Sequence, residues 1–420
     1  MSGDLLQRLS TFIPSVKPFQ LSDIVVPSLP LPSPTVPCSE VPILFREPYI
    51  LTGYRPVQQK WHCYLLSLFQ KHNESINVWT HLLAAPVLLL HWRANLGPLG
   101  YTLDVASLPL LVFLVSSLTY LFLSAAAHLF QSHSEHAHYF FFFMDYVGVA
   151  VYQYGCCIGH YFYTSQPAWR DSLVGSLFLP GAAFFSCLTC ACCCFAKSRF
   201  QRPYPVGRKA CQLIPTSLAY LLDISPVVHR LFTASWAEER SLLFHALQIA
   251  SFLLCAVFFS CPIPERFFPG RCDFVGQGHQ IFHLFLSLCT LFQQEALFQD
   301  YVRRRDTVVE IFGSVTPGPS PLHTNAPTSE VQLFLSHSLG CSRETEKEVA
   351  FFYTTVSCDL LKQYNAALQC PVRMTSLRKH GVRVQENILF IFPAPSPCLR
   401  GKHGRQGGRY MHACATKGCY

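Results

Sequence analysis

The sequence predicts an all-α integral membrane protein, a bundle of seven transmembrane helices. Half of its 420 residues are hydrophobic and only 13% are charged, whereas a soluble domain usually carries about a quarter charged residues. The apolar residues are gathered in blocks of about 20, which at about 1.5 Å per helical residue span the hydrocarbon core of a bilayer. Short loops holding Gly, Pro or charges separate these blocks, and no internal repeat is evident.

Seven such segments stand at about 76–95, 106–130, 138–163, 173–195, 212–232, 242–262 and 279–299. An odd number of crossings puts the two ends of the chain on opposite sides. Lys and Arg near span ends set orientation. Lys197, Arg199, Arg202, Arg208 and Lys209 share a side with Arg55, Lys60, Lys71, Arg266 and Arg271, whereas the opposite loops hold little beyond Arg93, Arg170, Arg230 and Arg240. This balance favours a cytosolic N-terminus, with Arg303, Arg304 and Arg305 weighing against it.

The chain divides into a cytosolic N-terminal region (1–75), the helical domain (76–300) and a tail (301–420). The first 20 residues lack the apolar core and cleavage site of a signal peptide. Leu5, Leu6, Leu9, Phe12 and Ile13 suggest a short amphipathic helix, and residues 25–42 read as a Pro/Ser-rich spacer. In the tail, 316–329 reads as a linker, and no apolar run is long enough to cross a membrane. A loosely structured tail is expected. The net charge of +8 is modest, and no basic, aromatic-interleaved block suggests a nucleic-acid partner. The lipid bilayer is the partner that composition implies.

Span parity brings particular polar residues to one depth. His128 closes span 2, Asp145 lies near the start of span 3, and His279 and His283 open span 7. These span ends share a side whichever way the protein inserts. Residues four apart share a helix face, which suits two histidines on one ion. Zinc commonly takes three protein ligands and leaves a fourth position to water. His128, His279 and His283 are therefore candidate zinc ligands. Asp145 is a candidate for holding the water, and Ser124, one turn before His128, for orienting it or a substrate carbonyl. The plainer reading is that a lone HxxxH pair simply faces water or the core. Against that, ionisable residues within spans are functional by default.

Asp223, in YLLDISPVVHR, either lines a ligand cavity or caps a helix broken at Pro226. Glu295 and Asp300 read as interfacial. The cysteines of CLTCACCC (187–194) suit lipidation or close packing better than a metal cluster. Asn73 forms a glycosylation sequon on the predicted inner side and is expected to stay unmodified. Cys414 and Cys419 do not form a prenylation ending.

With these positions assembled, the chain resembles the progestin and adipoQ receptor family. The resemblance rests on NVWTHLLAA (77–85), SAAAH (124–128), HSE (133–135), MDYVGVAVYQYG (144–155) and GHQIFH (278–283), and covers about residues 40–303. FREPYILTGYRP (45–56), SLFQKHNES (67–75), QRPYPVGRKACQ (201–212) and LDISPVVHR (222–230) look like its membrane progestin receptor branch. The resemblance implies a bundle of adiponectin-receptor type with a cytosolic N-terminus. It also implies zinc on His128, His279 and His283, with Asp145 reaching the metal through water. For the branch it implies binding of progesterone-like steroids at the plasma membrane and rapid signalling through inhibitory G proteins, including in oocyte maturation. One departure stands out: branch members usually carry an eighth span, and this chain diverges near 299–314.

Two functions follow. In the first, a steroid enters an apolar cavity, with Asp223 and Glu295 as candidate polar contacts, and shifts the bundle between states read by a transducer. In the second, a ceramidase-like lipid amide hydrolase, zinc polarises the amide while Asp145 acts as base and Ser124 as hydrogen-bond partner. A purely structural zinc is the plainer third option. The receptor ranks first.

Overall fold

The computed structural model describes residues 31–97, 104–202 and 204–314. The expected amphipathic segment at Leu5–Ile13 and the tail beyond 314 lie outside the described residues.

A helix stands at each expected segment: α1 Ser75–Leu96, α2 Leu108–Phe130, α3 Glu135–Gly159, α4 Leu173–Arg199, α5 Val206–Asp223 with α6 Ser225–Thr233, α7 Ser241–Ser260 and α8 Gly278–Ser314. Among the described residues, five helices (α2, α3, α4, α7 and α8) are long and apolar enough to cross a membrane, and a sixth crossing is made if α5 and α6 are one span bent by 42°. Helix α1 has the length but falls short in apolar character, because Asn77, Thr80, His81, His91, Arg93 and Asn95 interrupt it. Each helix packs against the next in chain order, and α8 closes the ring by packing on α1.

Local sequence explains the helix starts. Ser134 accepts from the Ala137 N–H at the head of α3, and Ser172 from the Gly175 N–H at the head of α4. A side-chain oxygen here satisfies one of the N–H groups the first turn leaves unpaired. Pro226 sits in the first turn of α6, where its missing N–H costs nothing, so α5 ends at Asp223 and the chain bends. Helix α3 runs on into a π-helical turn, His160–Thr164. Helices α2 and α3 approach closely because Gly155 has no side chain: a Cβ there would lie 2.7 Å from Ser116 Cβ.

Two segments are more ordered than sequence suggests. The second half of the Pro-rich spacer is pinned by a Val36–Tyr54 bridge, and Val41, Phe45, Ile50 and Tyr54 form a small core beside it. Helical structure continues past 299 to Ser314, with a kink at Arg304, whose backbone is not helical (φ −118°, ψ 16°). The charges that end the apolar run are paired: Asp300 is fully buried rather than interfacial, bound by the Arg230 guanidinium and the His245 ring. Arg304 donates to the carbonyls of Tyr163, Thr164 and Ser165.

Candidate metal centre and a second cavity

Three buried or half-buried histidines converge, as span parity predicts. One ring nitrogen from each of His128, His279 and His283 lies within 4.8 Å of the others. His128 comes from the last turn of α2. The carbonyls of His128 and Leu129 accept from the Arg55 guanidinium at 2.7 Å and 2.6 Å, which satisfies a helix C-terminus and fixes its position. Burial pulls Arg55 down to about 10, with Glu74 opposing the fall, so Arg55 stays charged at neutral pH. His279 and His283 come from the first turns of α8. Glu265 accepts from the Gly278 N–H at 2.7 Å and anchors that end.

The outward nitrogens are committed. His128 Nδ1 lies 2.8 Å from Glu74 Oε2, and His283 Nδ1 lies 3.1 Å from the Asn77 carbonyl. Both carry their proton on Nδ1, which leaves the Nε2 lone pairs free to face inward. His128 Nε2 and His279 Nε2 stand 3.3 Å apart. Two imidazoles on a tetrahedral ion at about 2.0–2.1 Å would be separated by about 3.4 Å, so this pair suits a zinc-sized ion.

Sequence reasoning missed Glu74. It stands just ahead of α1 inside the NES sequon, where a carboxylate reads as solvated, yet it is buried. Burial works to raise it, but its contact with His128 Nδ1 and the Asn77 amide at 2.7 Å outweigh that and hold it well below the usual carboxylate range. His81 was also missed. It is buried, neither ring nitrogen has a hydrogen-bond partner, and it stacks on His283 with centroids 3.8 Å apart.

Asp145, on α3, lies near Ser124 and His128 of α2. It stands beside the close trio of ring nitrogens, not within it. Asp223 and Glu295 are far apart in role. Glu295 accepts from His91 at 2.7 Å and joins α8 to α1. Asp223 accepts from His160 Nδ1 at 2.9 Å and lines a separate cavity of about 40 Å³ among α3, α4, α5, α7 and α8. The cysteines at 187–194 are unbridged.

The family of haemolysin-III-related proteins matches residues 69–294, more than half of the chain and all of the histidine site. The chain belongs to the haemolysin-III-related family. Within it, membrane progestin receptor beta of Homo sapiens is 53% identical over 321 residues, 75% of this chain and 90% of the relative. Membrane progestin receptor alpha of Sus scrofa is 48% identical over 338 residues, 80% and 92% of the two chains. Membrane progestin receptor alpha-B of Danio rerio is 46% identical over 290 residues, 67% and 82% of the two. This member of the family thus resembles the beta and alpha progestin receptors over its helical domain, as its branch-specific motifs suggest.

Proposed function

We propose that this chain is a receptor for progestin-type steroids in the plasma membrane. The carrying observation is its 53% identity to a membrane progestin receptor over 90% of that relative's length. In this reading α1 completes a seven-helix crossing with the N-terminus in the cytosol. Progesterone-like steroid is the ligand, and an inhibitory G protein is the transducer, with oocyte maturation among the responses.

Zinc is the proposed resident metal, on His128, His279 and His283. A bound zinc would supply a fixed positive charge that ties α2 to α8. Glu74 and the Asn77 carbonyl hold the His128 and His283 rings in the ligating tautomer, and Asp145 with Ser124 gives the site a carboxylate beside the trio. The similar relatives carry receptor names, and the lipid amide hydrolase alternative is not favoured.

The test is saturation binding of labelled progesterone to membranes from cells expressing the full chain. Saturable, competable binding above that of untransfected membranes is expected. Binding no greater than in untransfected membranes, at verified surface expression, would overturn the reading.

A further inference from the structure

The cavity beside Asp223 lies away from the histidines. Gln293, on its α8 wall, is ten residues past His283, about 15 Å further along the helix. Two irregular backbones meet there. The π-turn at His160 and the bend after Asp223 are joined by the His160–Asp223 hydrogen bond. Such interruptions are frequent at functional sites.

A count of donors and acceptors shows what the cavity lacks. The Tyr220 hydroxyl and the Gln153 carbonyl oxygen are buried in its wall with no hydrogen-bond partner. His160 gives its Nδ1 proton to Asp223, which leaves a single lone pair on Nε2. Two amide nitrogens press on that lone pair, Gln248 at 3.3 Å and Gln293 at 3.2 Å. Gln248 also donates to His245 Nδ1 at 2.8 Å, while the Gln293 carbonyl is filled by Tyr152 at 2.9 Å and Cys156 at 3.3 Å. Only one of the two N–H groups aimed at that lone pair can be accommodated, and the Tyr220 O–H has no acceptor. Buried donors are rarely left unpaired in a completed site.

We propose that this cavity is a ligand site separate from the histidine trio, which takes the carbonyl end of an apolar ligand with Tyr220 as hydrogen-bond donor. The proposal rests on the progestin-receptor reading, because a steroid ketone is the group of this kind. A cavity of about 40 Å³ has room for a few waters, enough for a ketone and its nearest carbons. The rest of the ligand lies outward. Gln153, Tyr220 and Phe252 are only half-buried, so the cavity reaches the flank of the bundle, where a lipid-dissolved molecule arrives.

Tyr220→Phe isolates the claim. The Tyr220 hydroxyl bonds to no protein group, and its ring stacks on Phe252 with centroids 3.7 Å apart, a contact phenylalanine keeps. Labelled progesterone and its two analogues lacking one ketone or the other would be measured on membranes carrying the full-length wild type and the variant. The variant is expected to weaken progesterone about 3- to 10-fold. It should leave unchanged the affinity of the analogue whose missing ketone is the one bound at Tyr220. Equal progesterone affinity in both proteins, or an equal loss for all three ligands, overturns the cavity assignment while the receptor reading stands. Absence of saturable binding in the wild type overturns the receptor reading and the assignment with it.

Discussion

The Glu74 carboxylate lies 2.8 Å from His128 Nδ1, with both groups buried, and orients the inward Nε2 toward His279. The bond joins the residue just ahead of α1 to the end of α2, so the approach to the first helix takes part in the proposed metal centre. Outer partners of this kind typically change metal affinity by 10- to 100-fold when removed. Glu74→Gln is therefore expected to weaken zinc binding about 10- to 100-fold while the folded protein persists. Competition with a graded series of chelators on purified protein measures it.

Arg55 acts from the other side of the same helix end. Its guanidinium satisfies the His128 and Leu129 carbonyls and the Ser67 hydroxyl in a buried setting. Arg55→Met leaves those carbonyls without a partner, at about 1–3 kcal/mol for each group left unsatisfied. A clear fall in melting temperature in detergent is expected, with weakened zinc retention as His128 loosens.

Arg230, Asp300 and His245 form a buried charge cluster at the opposite depth, joined by Glu239. Removing one partner of a buried pair strands the other, typically at about 3–5 kcal/mol. Arg230→Met is expected to destabilise by about that amount, and the Arg230→Met/Asp300→Leu double variant by much less than the two single changes added. Thermal unfolding of the four proteins gives the coupling.

The α2–α3 contact depends on Gly155. A Cβ at this position meets Ser116 Cβ at 2.7 Å, and valine adds two further carbons. Gly155→Val is expected to cost about 1–3 kcal/mol by overpacking, and Ser116→Gly in the same chain to recover part of it. Unfolding midpoints of the single and double variants test this.

Much of the bundle was legible because apolar blocks and their interruptions are local signals. His128, His279 and His283 were legible for a related reason: span ends alternate sides, so residues near like ends share a depth. Glu74 was not, because its role depends on a contact 54 residues along the chain that no local pattern announces. Asp300 looked interfacial when counted as one charge near a span end. Burial becomes favourable only once Arg230 and His245 are known to meet it. Helical structure beyond 299 was not legible for the same reason, since the charges there, Asp300 and Arg304, are paired. The bend at Asp223 could be read from Pro226, but its bond to the π-turn at His160 could not.

The most direct test measures zinc content and progesterone binding on the same purified full-length samples, wild type beside His279→Ala/His283→Ala. The account predicts about one zinc per wild-type chain, loss of that zinc in the double variant, and saturable progesterone binding in both. Zinc-loaded wild type that binds no progesterone would contradict it.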